Sequence, residues 1–384
     1  MAHIYNGTDE VHRMVVAKEV PKIIRLMGEI NMENKVEFLA VQSGKDEINW
    51  SAVREFILDE LEDVPDAPLK VKQFSAGYSN LTYAIEMGDW KAVLRRPPFG
   101  PIPPKAHDMK REAEILQRIH PVFPLAPKVY LYSEDPALMD RHFYIMERKQ
   151  GVVLDDEFPP EYEANEETAR KVSETVVNTM TQLHAIDYVQ AELTDIGRPD
   201  GYLERQVHGW IKRYHAAQTD EIAVTGEVEA WLVGNIPTSP APTIVHNDFK
   251  LNNMMLAADD PRRATAVFDW EMCTIGDPLT DLASTMAYWT EPGEGETGLT
   301  SITTFPGFIT RREFIDFYAQ KSGRDVGNID YYLTFAFYKV GVILQQIYYR
   351  WKQGGVQDER FGKLDSGVYN LMHQAHRAMR RELL

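Results

Sequence analysis

Residues Thr243–Glu271 read TIVHNDFKLNNMMLAADDPRRATAVFDWE, and the spacing inside this stretch decides how the rest of the chain is read. Two short apolar runs, Met254 to Leu256 and Thr265 to Phe268, flank the turn-forming ADDPRR, which is the pattern of a β-hairpin. TIV before them reads as another short strand, and His246 to Asn253 as the loop between. When the two runs pair, Asn253 just before the first and Asp269 just after the second meet at the open end, although sixteen residues separate them. An amide oxygen and a carboxylate converging at a loop end are hard ligands suited to Mg²⁺, an ion that keeps waters and shares substrate phosphates. Asp248 lies in the same loop. There it could accept the proton of an attacking hydroxyl while metal and basic groups neutralise phosphoryl charge. The chemistry indicated is phosphoryl transfer.

Upstream, NWSAVREFILDELEDV repeats Val53, Ile57, Leu61 and Val64 at helical spacing and reads as an amphipathic helix ended by Pro65. FSAGYSNLTYAIEMGDWKAVLRR alternates through Leu81, Tyr83 and Ile85, turns at Gly88-Asp89 and returns through Ala92 and Leu94, a hairpin meander. The proline-rich RRPPFGPIPPKAH can hold neither helix nor central strand and hands over to DMKREAEILQRI, where Met109, Ala113 and Leu116 share a helical face. HFYIMER reads as a strand closing a small α/β unit near residue 148. Beyond Gly151 helices dominate, with Val172, Val176, Met180 and Leu183 on one stripe and GYLERQVHGWIKRYHAAQ supplying another. The expectation is an α+β chain of two lobes. Residues 1–48 form a helical extension, 49–148 a small β-rich lobe that binds nucleotide phosphates, and 149–384 a larger, mainly helical lobe with the catalytic loop and substrate site.

Composition narrows the partners. A chain of 384 residues with 44% hydrophobic content suits a soluble globular protein of two packed units. Its net charge of -17, from 41 Lys+Arg against 58 Asp+Glu, repels nucleic acid and anionic membrane surfaces. The single cysteine, Cys273, forbids an intrachain disulfide and a thiolate zinc site and fits a small buried hydrophobe, so the expected compartment is the cytoplasm. The N-terminus lacks the apolar core of a signal peptide, and the apolar run YYLTFAFYKVGVIL is interrupted by Lys339, so no membrane span is expected.

His246, Asp248, Lys250 and Asn253 fill the spacing H-x-D-x-K-x-x-N, which matches the protein-kinase catalytic loop, with Asp269 in the place of the metal-binding aspartate that follows it. His246, Asp248 and Lys250 are therefore the candidate catalytic residues, although a histidine at this place is often a structural side chain bonded to backbone. Arg95 in KAVLRR takes the position of the phosphate-pairing lysine, and Glu112 in REAEIL that of its helix partner; a planar guanidinium can still fork onto phosphate oxygens. Gly77, Ser79 and Asn80 of SAGYSN would cover phosphates, and backbone groups around Glu147 in IMERKQG would bond the adenine edge. An isolated Asp-x-x-x-x-Asn is common by chance; the joint order of the parts gives it weight. Arg95, Arg96, Lys105, Lys110 and Arg111 could bind an anionic substrate or solvate a surface, and solvation is the reading for the last three. His184 reads as a packed helix histidine, and Asp277 and Asp281 as braces for the loop after Asp269 rather than metal ligands.

These residues resemble the aminoglycoside phosphotransferase and choline kinase superfamily, a protein-kinase-like fold. GYSNLTY, VLRRPPFG, AHDMKRE, FYIMER, GRPDGYLERQVHGW, DWEMCTIGDPLTDLA and YYLTFAFYKVGVILQQIYYR are similar to one branch of it, the phosphotransferase domains associated with acyl-CoA dehydrogenases. The resemblance runs from about Asn49 to the C-terminus. It implies ATP and Mg²⁺, Asp248 as base, Asn253 and Asp269 as metal ligands, Arg95 with Glu112 at the nucleotide phosphates, and a small hydroxylated acceptor such as a hydroxyacyl group or its CoA thioester. Three positions depart from the pattern: Asn247 for the usual glycine, Lys250 for the commoner arginine, and Lys339 where arginine is frequent. A catalytically weak nucleotide-binding partner of an acyl-CoA dehydrogenase, or an aminoglycoside kinase, stays open. IYNGTDEVHRMVVAKEV near the start is similar to the C-terminal segment of acyl-CoA dehydrogenases, with Asn6 where some members carry a catalytic glutamate. It implies a fusion remnant or docking element; Val11, Val15, Val16 and Val20 alone would make an ordinary amphipathic helix.

Overall fold

The computed structural model describes residues 48–74, 80–98, 108–295, 297–299, 302–355 and 359–384. The dehydrogenase-like N-terminal segment, Gly77, Ser79 and Lys105 lie outside the described residues.

The N-terminal lobe is an antiparallel five-stranded sheet, β1 (Leu69–Gln73), β2 (Leu81–Met87), β3 (Trp90–Arg96), β4 (Val129–Ser133) and β5 (Phe143–Glu147), in the order β1-β2-β3-β5-β4. The β2–β3 turn is the expected one, because Met87 pairs with Trp90 and Gly88 takes φ 61, open to a residue without Cβ. Period-two alternation then divides the sheet. Tyr83, Ile85, Leu94, Phe143 and Ile145 bury against helix α1 (Trp50–Glu60), while Val93, Tyr144 and Met146 face the core shared with α2 (Met109–Ile119). Arg95 shares the parity of Val93 and so belongs to the α2 side. α1 is capped by Asn49, whose side chain accepts from the Ala52 N–H at 3.1 Å, and buries Val53 and Ile57 completely. Burial of each such side chain contributes roughly 1.5–3 kcal/mol. The helix stops at Leu61, in extended conformation, before the proline expected to end it. Strands β1 and β4 carry only weak alternation and were not apparent from the sequence.

The larger lobe is mainly helical: α3 (Glu166–His184), α4 (Tyr202–Ala217), α5 (Thr225–Gly234), α6 (Pro278–Tyr288), α7 (Arg311–Ser322), α8 (Ile329–Lys352) and α9 (Leu364–Met379). Val172, Val176, Met180 and Leu183 are fully buried, as their spacing requires. α8 is buried along most of its length, yet no helix among the described residues is long and apolar enough to cross a membrane. Two small sheets lie between α3 and α6. Strand β6 (Thr243–Val245) pairs with β9 (Thr274–Gly276), and β7 (Met254–Ala257) pairs with β8 (Asp260–Val267). β8 begins at Asp260, so the turn is only Ala258-Asp259 rather than the whole of ADDPRR. Pro261 is accommodated because a two-stranded ribbon has free edges.

The lobes are tied at the hairpin. Val152, just after β5, exchanges two backbone hydrogen bonds of 2.8 Å with Leu256 of β7, and the Val267 N–H donates to the Leu125 carbonyl at 2.9 Å. Gly151 makes the first approach possible: with φ 149, a Cβ there would meet the Leu256 carbonyl at 2.2 Å.

Candidate active site

The loop from His246 to Asn253 connects β6 to β7, and its shape is imposed from below by Asp281 on α6. The buried Asp281 carboxylate accepts from the backbone N–H of His246 at 2.5 Å and of Asn247 at 2.6 Å. His184 faces the same carboxylate at 3.3 Å through Nε2 and Tyr318 at 2.8 Å through Nδ1, a buried helix histidine as expected. Burial works against the ionised Asp281, but His184, the nearby His246 and the backbone N–H outweigh it and hold its pKa below the ordinary carboxylate value. Asp277 caps α6 by accepting from the Leu279 N–H at 3.0 Å. Both aspartates serve the loop or the helix under it.

Asn247 adopts φ 66, the left-handed region that glycine enters freely and asparagine better than other side chains. Its presence in place of the commoner glycine is thereby accounted for, and the side chain adds two bonds. Nδ2 donates to the Met272 carbonyl at 3.0 Å, and Oδ1 accepts from the Tyr202 hydroxyl at 2.9 Å. Tyr202 lies so close over β9 that a Cβ on Gly276 would stand 2.8 Å from its ring.

The hairpin brings Asn253 and Asp269 together as its pairing demands: the Phe268 N–H donates to the Asn253 carbonyl at 2.8 Å. The Asn253 amide donates to the Asp248 backbone oxygen and to Asp248 Oδ2, each at 2.8 Å. With its nitrogen so occupied, the amide oxygen points away from Asp248, an orientation set by the hydrogen-bond network. Asp269 takes the left-handed conformation, φ 66 and ψ 60, with its side chain 19% exposed. An outward amide oxygen and a partly open carboxylate form an oxygen-only pair that fits a hard divalent cation. Among the described residues no three His, Cys, Asp or Glu side chains cluster in a way that could hold a metal ion. Lys250 Nζ lies 3.6 Å from Asp248 Oδ2 and 5.0 Å from the centre of the Tyr288 ring.

Arg95 faces this pair from β3. Its guanidinium is 3.1 Å from Glu112 Oε1, 3.4 Å from Asp269 Oδ1 and 4.0 Å from Glu271 Oε2. Burial alone would lower the Arg95 pKa, but Glu112, Tyr144, Asp269 and Glu271 lift it well above its ordinary value, so the group stays charged. Burial raises the pKa of Glu112 despite the pull of Arg95, and the charge of Asp269 adds to the rise. Arg96 points to the opposite face, where it reaches Asp140 at 2.8 Å.

The His246 ring is fully buried, its centre 4.9 Å from that of Trp270 and 6.0 Å from that of Phe249, both edge to face. Asn80 is buried immediately before β2. The Glu147 N–H donates to the Lys128 carbonyl at 2.7 Å. Lys110 is exposed beside Glu134, but Arg111 does not merely solvate a surface: it is half-buried and donates to the carbonyls of Glu271 at 2.8 Å, Cys273 at 2.6 Å and Ile196 at 3.3 Å. The contacts of Arg111 and Glu271 were not apparent from the sequence, because their partners lie far away along the chain. Cys273 is completely buried, and burial pushes its thiol up to about 12.

The profile of the phosphotransferase enzyme family matches residues 70–305, more than half of the 384-residue chain. Acyl-CoA dehydrogenase family member 11 of Mus musculus is 34% identical over 299 residues, covering 76% of this chain and 38% of that protein. The Gallus gallus protein of the same name is 30% identical over 338 residues, covering 84% and 43%. The chain thus spans less than half the length of these curated relatives. A crystal structure from Ralstonia eutropha JMP134 that carries an aminoglycoside-phosphotransferase name superposes with a TM-score of 0.74 at 27% identity, covering 87% of this chain and 99% of that one. Choline kinase from Cryptosporidium parvum gives 0.60 at 13% identity (88% and 98% covered), and an aminoglycoside phosphotransferase in complex with AMP-PNP and hygromycin B gives 0.55 at 18% (86% and 98%). These last two share the fold.

Proposed function

The chain belongs to the phosphotransferase enzyme family, and from that premise we propose that it is a small-molecule kinase moving the γ-phosphoryl group of ATP to a hydroxyl of a small metabolite. The observation that carries this reading is the 2.8 Å contact that joins Asn253 to the Asp248 carboxylate at the mouth of the β7–β8 hairpin beside Asp269. Asp248 orients the acceptor hydroxyl and takes its proton as the oxygen bonds to the γ-phosphorus. The bond from that phosphorus to the β,γ-bridging oxygen breaks, and ADP leaves. Mg²⁺ held by Asn253 and Asp269 supplies neutralisation of phosphate charge when bound. Lys250, 3.6 Å from Asp248, offsets charge on the transferred group, and Arg95, held by Glu112, forks onto nucleotide phosphates. Gly77, Ser79 and Asn80 belong to the phosphate-covering loop in this reading, and the segment following Glu147 receives the adenine. His246 acts here as a positioning residue for the loop, not as a catalyst. Residues 49–148 then handle the nucleotide and 149–384 the acceptor.

For the acceptor we favour a hydroxylated acyl group, free or as a CoA thioester, supported by relatives named as acyl-CoA dehydrogenase family members. The names of those relatives also support a second reading, a nucleotide-binding partner that docks on an acyl-CoA dehydrogenase. The deciding experiment is ATP consumption with Mg²⁺ across hydroxyacyl-CoAs, hydroxy acids, amino alcohols and aminoglycosides. Turnover with one class, lost in Asp248→Ala while ATP binding persists, supports the kinase. No turnover with any class, together with specific binding of an acyl-CoA dehydrogenase, supports the partner.

A further inference from the structure

Asp269 holds a backbone conformation that a side chain with Cβ adopts only where its surroundings enforce it. On its upstream side the enforcement is the hairpin: Phe268 N–H to the Asn253 carbonyl at 2.8 Å, and the Trp270 indole N–H to the Val267 carbonyl at 2.8 Å. On its downstream side the chain makes one 3₁₀ turn, Trp270–Met272, whose end leaves carbonyls pointing out without helical partners. Arg111 supplies those partners. One guanidinium nitrogen donates to Glu271 O at 2.8 Å, and the other donates to Cys273 O at 2.6 Å and to Ile196 O at 3.3 Å. Its neighbour on α2, Glu112, holds Arg95, which reaches the Asp269 carboxylate at 3.4 Å. Consecutive residues of one helix thus grip the backbone after Asp269 and, through Arg95, its side chain.

We propose that Arg111 is the positioning residue for the metal-binding carboxylate: by fastening the turn after Asp269 to α2 it sets where that carboxylate stands relative to Arg95 and Asn253. The inference rests on the phosphotransferase reading of the site. Arg111 acts on the reaction through Asp269 rather than on the substrate, and the job requires the guanidinium fork, because a lysine ammonium can reach one carbonyl group but not span Glu271 and Cys273 with fixed geometry. The consequence is a selective one. Loss of Arg111 should weaken cation binding in the nucleotide complex while leaving the contacts of the nucleotide itself in place.

The test uses the full chain, with Mn²⁺ as a spectroscopic probe of the cation site and ADP as the nucleotide. Electron paramagnetic resonance gives the Mn²⁺ affinity at saturating ADP, and calorimetry in EDTA gives metal-free ADP binding. Arg111→Met is expected to lower Mn²⁺ affinity roughly tenfold or more, the usual effect of removing an outer support of a metal ligand. Arg111→Lys should fall between it and the wild type, with metal-free ADP binding unchanged in both. Arg111→Lys alone suffices if the methionine variant does not fold. Equal Mn²⁺ affinity in the folded variants and the wild type overturns the proposal, as does a parallel loss of metal-free ADP binding. A wild-type chain that binds no Mn²⁺ in the presence of ADP overturns the phosphotransferase reading itself, and the proposal with it.

Discussion

The Asn253 side-chain nitrogen donates to Asp248 Oδ2 at 2.8 Å, so the residue assigned to the metal ion also orients the residue assigned to the acceptor proton. Two groups joined in this way work as a unit. Asn253→Ala and Asp248→Ala should each lower acceptor-stimulated ATP consumption by about 10²–10⁴-fold, and the double variant should be little worse than either. Initial rates of the three variants against the wild type decide the point; losses that multiply in the double variant would mean the two act separately.

Asp281 gives a pH-dependent stability with a definite sign. Its pKa is depressed in the folded chain, so below about pH 4 the unfolded chain takes up its proton first. The stabilisation is complete above that pH and is lost as pH falls through the lower, folded value. Asp281→Asn should cost on the order of 3 kcal/mol near neutrality, since two backbone N–H groups lose a charged acceptor. Urea unfolding at neutral pH and again below about pH 4 should show the gap to wild type narrowing on acidification; a constant gap would refute the assignment.

At Asn247 the backbone and the side chain can be separated. Asn247→Gly keeps the φ 66 conformation and loses the bonds to Met272 and Tyr202, while Asn247→Ala loses both advantages. The alanine variant should therefore be less stable than the glycine variant by about 1 kcal/mol. Equilibrium denaturation of the pair measures this directly, and equal stabilities would show that the loop relaxes.

Cys273 should be inert in the native chain. Its thiol is fully buried with a pKa of about 12, raised by burial and by the charge of Asp281 against the opposing pull of Arg111. Iodoacetamide at about pH 8 should label it only after denaturation, as mass spectrometry would report. Rapid labelling of the folded chain would contradict the packing around the turn after Asp269.

Much of the chain could be read from local pattern because local pattern is what forms its elements. Alternation around Gly88 determined the β2–β3 hairpin, the stripe Val172, Val176, Met180, Leu183 determined a buried helical face, and the apolar runs on either side of Ala258-Asp259 determined the hairpin that joins Asn253 to Asp269. Once β3 is in place, strand parity sends Arg95 and Arg96 to opposite faces, although the two read as one cluster along the sequence. What escaped was decided across distance. No periodicity in DMKREAEILQRI distinguishes Arg111 from a solvated arginine, since its three acceptors lie 85 to 162 residues away along the chain. His246 has the right spacing for chemistry, yet only the folded chain shows its ring packed edge to face against Trp270 and Phe249. A backbone N–H and a side chain reveal their partners only after the helices have packed. The sequence by itself therefore determined which residues could carry phosphoryl-transfer chemistry, through short-range spacing; tertiary structure decided which of them meet, because hydrogen bonds and burial depend on position in space and not on separation along the chain.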